Sequence, residues 1–185
     1  MKIPVVGFDP SLRNWGIARG TLDLDTGYLE DLNLTVVRPK EMTGKQVRQN
    51  SNDLHIASQL CEEAILAARQ AKVIFVEPPV GSQSARAMAS YGICLGILGA
   101  IKALGNPLIE VTAFESKQCF TGNRLASKEE MIARAVELYP NANFPKYRGA
   151  ITSNAEHVAD AIAAIHAGVQ TSVFQNLMRL LAEVK

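Results

Sequence analysis

Cysteine is scarce in this chain, and Cys61, Cys94 and Cys119 stand at no spacing that builds a disulfide framework or a zinc site. No Pro/Gly/Ser-rich linker divides the 185 residues, and 48% hydrophobic content is enough for one sizeable core, so a single globular domain is expected. The longest apolar region, Ala87 to Ile101, is shorter than the ~20 residues that span a bilayer, which argues for a buried helix and against a membrane anchor. The N-terminus lacks the basic start and apolar run of a secretory leader. With cysteines that form no framework, the expectation is a reducing, cytoplasmic setting. The chain also lacks an excess of charge of one sign. Its net charge of +1 and pI near 7.7 fall short of the pI above about 9 typical of nucleic-acid binders. The charge is uneven, however: Thr21 to Asp31 holds four acids and no base, whereas Arg38 to Arg48 holds four bases and one acid.

What is present is organised around Ile3 to Ala18. Val5, Val6 and Phe8 are β-formers, Gly7 permits close backbone approach, Asp9 ends the strand and Pro10 forbids its continuation. Asp9 suits an Asx turn, and equally a carboxylate held by a sheet at the lip of a metal-dependent site. Trp15 to Ala18 returns as a second strand. In Tyr28 to Val37, Leu32, Leu34 and Val36 alternate with polar residues, which predicts a third, half-buried antiparallel strand. Arg38 to Asn52 reads as a basic loop. Leu54, Ala57, Cys61, Ala64 and Ala68 recur at helical spacing between Asp53 and Ala71. Val73-Ile74-Phe75-Val76 fits a strand buried on both faces, and Glu77 ends it before Pro78-Pro79. An acid after four buried β-formers is costly unless it meets water, a base or a cation.

Ser82 to Leu104 is expected as a long helix whose Gly92, Gly96 and Ala100 form a shallow groove, suited to the chain's own sheet or to a second subunit. Leu108 to Thr112 reads as a fifth strand, parallel to the fourth. Helices follow near 113–120 and 127–138, with Lys117, Arg124 and Lys128 clustered about the break, where cations suit phosphate contact. Residues 139–152, with Lys146, Tyr147 and Arg148, read as a loop. Ser153-Asn154-Ala155-Glu156 has the form of a capping box, which explains Glu156 structurally. The helix it opens carries Val158, Ala161, Ile162, Ile165 and Val169 on one stripe, with His157 and Asp160 on a neighbouring face. His166 reads as structural, and Gly168 as the helix end. Thr171 to Val184 is expected as a last amphipathic helix, through Val173, Leu177, Leu180 and Leu181, packed on the domain formed by residues 1–170.

Three antiparallel strands, a helix, a strand ending in Glu, a helix, a fifth strand and a closing helix bearing Asp give the order of the ribonuclease H-like fold, an α/β fold with a five-stranded mixed sheet flanked by helices. Gly7-Phe8-Asp9-Pro10-Ser11-Leu12-Arg13-Asn14-Trp15-Gly16, Phe75-Val76-Glu77, Lys117-Gln118, Ala126-Ser127-Lys128 and His157-Val158-Ala159-Asp160-Ala161 resemble, in order and spacing, the RuvC-type Holliday junction resolvases over residues 3–168. The resemblance implies a metal-dependent endonuclease that resolves four-way DNA junctions by paired nicks, leaving 5′-phosphate and 3′-hydroxyl ends. It implies Asp9, Glu77, His157 and Asp160 as catalytic and metal-binding residues for two Mg²⁺, with Mn²⁺ as a substitute. Lys117 and Lys128 are the implied DNA contacts, and Arg13, Arg124, Lys146 and Arg148 are further candidates for phosphate contact read from the sequence itself. A homodimer meeting at Gly92, Gly96 and Ala100 would supply the second cut. Three features depart from the family pattern: Ser11 replaces a turn glycine, Pro78-Pro79-Val80 lacks the aromatic that wedges into the junction in some members, and the 139–152 loop and the tail after Gly168 are larger. Other readings are a related nuclease for flaps, branched DNA or RNA, and a non-catalytic junction-binding protein. An ATPase of the actin or sugar-kinase type would need a second phosphate loop and a duplicated domain, which this chain lacks, so no nucleotide cofactor is expected.

Overall fold

A computed structural model describes residues 1–183; Val184 and Lys185, the expected end of the last helix and of the chain, lie outside the described residues. Strands β1 (Lys2–Asp9), β2 (Trp15–Asp23), β3 (Leu29–Val37), β4 (Val73–Val76) and β5 (Leu108–Glu110) form one sheet in the order β3-β2-β1-β4-β5. The β1/β2 and β2/β3 pairs are antiparallel, and β1/β4 and β4/β5 are parallel. The expected meander and its two parallel additions are therefore present. The apolar run of β4 is buried on both faces: Val73 and Phe75 enter one core, Ile74 and Val76 the other.

On one face lie α1 (Gln49–Arg69) and α2 (Ala85–Ala103), packed over Val6, Phe8, Trp15 and Ile17. On the other lie α3 (Ala113–Thr121), α4 (Lys128–Leu138), α5 (Ala155–Val169) and α6 (Ser172–Glu183). Both α3 and α4 open on reciprocal capping boxes, Thr112 with Glu115 and Ser127 with Glu130, which satisfy two orphan amides each and fix both starts. Among the described residues no helix is long and apolar enough to cross a membrane.

Several expected details change. Helix α1 begins at Gln49, so the basic loop is shorter than expected, and its inner face is Asp53, Ile56, Leu60, Ala64 and Ala67, while Leu54 is 72% exposed. The phase shifts because Asp53 is buried as an ion pair: the Arg86 guanidinium donates to both its oxygens, and the Gln49 amide donates to Oδ1. That pair ties the start of α1 to the start of α2. In the 139–152 segment, the two-residue strands β6 (Lys146–Tyr147) and β7 (Ala150–Ile151) form a small hairpin where a loop was expected. Helix α5 runs to Val169, past Gly168, because Gly168 is needed where α5 crosses the Phe75 ring: a Cβ there would meet Phe75 Cδ1 at 2.1 Å. In α6 the buried anchor is Phe174, with Leu177 and Met178 packed beside it, whereas Val173 and Leu180 are exposed. The side chain of Leu181 lies outside what is described.

Candidate active site

Asp9 is the last residue of β1 and pairs across the ladder with Gly16 of β2. Phe8 pairs with Val76 of β4, and the Glu77 amide donates to the Phe8 carbonyl at 3.3 Å, so the parallel pairing runs one residue further. Asp9 and Glu77 therefore stand side by side at the carboxyl ends of adjacent parallel strands, where an α/β sheet presents its crevice.

The third contributor is α5, which lies unusually close to the sheet. A Cβ on Gly7 would fall 2.0 Å from the Ala161 carbonyl oxygen, and one on Gly16 would fall 2.1 Å from that of His157. Only glycine admits a helix backbone at this distance. The docking brings the first turns of α5 over Asp9, and His157 Nδ1 shares a hydrogen bond with Asp9 Oδ2 at 2.8 Å. Both side chains are largely buried. Asp160, one turn further, interacts electrostatically with Asp9 and Glu77.

The charges here are poorly compensated. Burial, and then the Asp9 charge, push the Glu77 carboxyl up to about 7; the fully buried Ser116 hydroxyl and the Lys117 ammonium on α3 work against that rise. Burial, with the charges of Asp9 and Glu77, likewise pushes Asp160 up to about 7, again opposed by Lys117. For His157 burial favours the neutral ring, but the Asp9 hydrogen bond and the charges of Asp9, Glu156 and Asp160 outweigh it and raise its pKa. Cys94 lies beneath the site on α2, and burial together with the Asp9 charge keeps it a thiol, with a pKa of about 12.

Three carboxylates that repel one another, from the end of β1, the end of β4 and α5, with the His157 ring nitrogen beside them, have the chemistry to fit a hard divalent cation. Among the described residues no three His, Cys, Asp or Glu side chains are grouped tightly enough to hold an ion on their own.

Glu156 is the residue the sequence reading misplaced. Its side chain makes no capping box: the residue before α5 is Asn154, in helical conformation and without a side-chain cap bond, and the Glu156 amide donates to the Ser153 carbonyl at 3.0 Å. The carboxylate turns instead to the site, with Oε2 2.7 Å from Lys128 Nζ and Oε1 3.5 Å from His157 Nε2. Lys128, expected to face DNA, is thus ion-paired in this structure. No sequence signal marked that pairing, since a capping box and a lysine partner use the same glutamate. Ser116 was missed as well; a small polar residue in a helix's first turn carries no distinctive signal.

The remaining expected contacts are dispersed. Arg13 is exposed on the β1–β2 turn and borders a polar cleft of about 430 Å³ with Asn14, Ser84, Arg86 and Tyr91. Arg124 lies over the Phe114 ring, 4.9 Å from its centroid, and borders a different hollow with Cys119 and Thr171. Lys146 and Arg148 are exposed on the β6–β7 hairpin. Gly92, Gly96 and Ala100 lie on the exposed face of α2. His166 is structural, as expected: its Nε2 is 2.7 Å from the Tyr139 hydroxyl, and burial, with the Arg134 charge, pushes its pKa down to about 4.

A sheet of this order, with acids at the ends of its first and fourth strands and on a closing helix, defines the ribonuclease H-like fold. Within that class the chain is similar to solved structures of Thermus thermophilus RuvC. One, in complex with a Holliday junction substrate, superposes with a TM-score of 0.64 at 18% identity, covering 96% of this chain and 96% of that chain. Another structure of T. thermophilus RuvC gives a TM-score of 0.57 at 18% identity, covering 97% of each chain. No protein-family model matches the chain, and no curated protein does.

Proposed function

We propose that this protein is a divalent-metal-dependent endonuclease that resolves four-way DNA junctions. The observation that carries the reading is the gathering of Asp9, Glu77, His157 and Asp160 at one end of the sheet, with both Glu77 and Asp160 pushed up to about 7. Such a set holds its charge best against a cation, and the likeness to a junction-bound RuvC over nearly the whole chain supports branched DNA as the substrate. Asp9, Glu77 and Asp160 would hold the metal, with His157 completing the set or handling a proton of the attacking water. Two Mg²⁺, or Mn²⁺ in their place, would supply activated water and charge stabilisation for hydrolysis to 5′-phosphate and 3′-hydroxyl ends. Lys117, close enough to offset the charge of both acids, is suited to meet the scissile strand. Paired symmetric nicks require a two-fold homodimer, for which the exposed Gly92, Gly96 and Ala100 face of α2 is suited.

The test is cleavage of four-way junction, duplex, flap and RNA substrates assayed side by side in Mg²⁺. Changing an outer-shell partner of a metal ligand costs roughly 10–100-fold, so Asp9→Asn, Glu77→Gln and Asp160→Asn, which change the ligands themselves, should each lose more than about 100-fold in junction cleavage. Their affinity for the junction should stay level or tighten, because each removes negative charge that faces phosphate. Carboxamide variants that cut as well as the wild type would overturn the reading; preferential cutting of flaps or RNA would reassign the substrate.

A further inference from the structure

We infer that the β6–β7 hairpin is a base-stacking arm, with Tyr147 laid against unpaired bases at the branch point of a DNA junction; the inference rests on the proposed nuclease reading for its substrate. The hairpin's base is fixed. Phe144 is buried just before it, Ile151 packs against the same core, and the Thr152 amide closes the hairpin by donating to the Pro145 carbonyl at 3.0 Å. Its tip is free of such packing: Tyr147 is 65% exposed, between the exposed cations Lys146 and Arg148. The Arg148 guanidinium lies over the Tyr147 ring, 5.3 Å from its centroid, so a cation backs one face of the ring and the other face is left to stack.

The turn itself points the same way. Arg148 and Gly149 both have positive φ, 49° and 84°, the backbone of a two-residue turn that Asn-Gly makes most readily. An arginine in this left-handed conformation is unfavourable for the backbone and contributes nothing to the core. It does place a cation at the outermost point of the arm. A ring flanked by two cations matches a ligand that has both flat π-faces and a phosphate backbone, which is nucleic acid with unstacked bases. An acidic protein surface would pair with the cations but gives an exposed tyrosine nothing to stack on. Three residues, 152–154, link β7 to the first turn of α5, which carries His157, so the arm flanks the acid end of the sheet.

Equilibrium binding to four-way junctions carrying 2-aminopurine at the branch point, beside intact duplex and single-stranded oligonucleotides, tests this. Tyr147→Ala should weaken binding to the junction and to single strands by about tenfold or more, abolish the 2-aminopurine fluorescence change, and leave duplex affinity within about twofold. Tyr147→Trp should restore both signals, and Tyr147→Leu should restore neither. Lys146→Ala and Arg148→Ala should each lower the salt slope by about one unit on every DNA. Thermal unfolding of each variant should match the wild type, since the ring is exposed. Wild-type junction binding by Tyr147→Ala, or rescue by Leu as good as by Trp, overturns the arm while leaving the nuclease reading standing. Tyr147-dependent binding by a wild type that cuts nothing keeps the arm and overturns the nuclease. Failure of the wild type to bind any nucleic acid overturns both, and binding to an acidic polypeptide at equal affinity with the same Tyr147 dependence overturns the choice of nucleic acid.

Discussion

Helices α5 and α2 cover opposite faces of the same sheet, and both are built largely from Ala and Gly, yet they use small residues in opposite ways. On α5 ten residues are buried, and the close approach to the sheet is made through glycines on the partner strands, Gly7 and Gly16, as well as its own Gly168. On α2 only Cys94, Ile97, Leu98 and Ile101 are buried; a Cβ on Gly92, Gly96 or Gly99 would meet nothing within 4 Å. Small residues are therefore not by themselves a mark of tight packing. On α5 they seat the site, whereas on α2 they leave a smooth outer face with Leu95 and Met88 exposed beside them.

The comparison can be broken most severely on the α5 side. Gly16→Ala drives a methyl group into the His157 carbonyl, backbone against backbone, and should cost about 3 kcal/mol or more. In a chain of this length that corresponds to a fall of about 10 °C in Tm, measurable by calorimetry. Cleavage should fall with it, because the displaced carbonyl belongs to a site residue. Unchanged stability would mean that the helix is not seated by this contact.

A second break uses pH at the far end of the same helix. His166 sits neutral among Tyr139, the Phe120 ring and the Arg134 charge, with a folded pKa of about 4 against an ordinary 6.5. Its contribution is complete above pH 6.5 and is lost as pH falls from 6.5 towards 4, because the unfolded chain takes up the proton first. The full loss is on the order of 3 kcal/mol. Glu77 and Asp160, whose folded pKa values are raised, act with the opposite sign over the same range, so a single stability curve mixes the two effects. Comparing wild type with His166→Gln by urea unfolding at a series of pH values removes the shared carboxylates. The wild type should lose ground to the variant steadily below pH 6.5, and parallel curves would refute the assignment.

The smallest effect is on α2 and sharpens the contrast through its sign. If the outer face is bare, Gly96→Ala should stabilise the protein by about 0.5–1 kcal/mol through helix propensity alone. If two subunits meet there with backbones close, the same methyl group should destabilise the dimer. Gly96→Arg should then give a monomer by sedimentation that nicks a cruciform plasmid without linearising it; a Gly96→Arg protein that remains dimeric would move the interface elsewhere.

How much of this was legible in the sequence follows from the range of each interaction. The five strands and the placing of Asp9 and Glu77 at strand ends could be read because alternation, apolar runs and proline stops are local signals. Gly7 was readable as a point of close approach, but no local signal joins it to Ala161, which lies far along the chain. The α1 phase was misread because a buried Asp53 counts as polar until Arg86 is known to cover it, and α6 because Phe174 was left out of the stripe. Glu156 was misread for a related reason: Ser-x-x-Glu satisfies a local rule, while the ion pair with Lys128 that displaces it is a long-range one. The hairpin was illegible because strands of two residues have no period to detect.

The seating of α5 has a consequence for how freely the rest of the chain can change length. A helix notched into a sheet at Gly16 near its start, at Gly7 in its middle and against Phe75 near its end cannot creep along its axis, since a slip of one residue rotates every side chain by about 100°. The relative position of His157, Asp160 and Asp9 is thus stored in helix-to-sheet docking and not in the connections leading to it. Insertions in 38–48 or at the exposed hairpin tip, residues 146–150, should therefore leave the acid cluster undisturbed, so such a chain can acquire new appendages while its site stays in register.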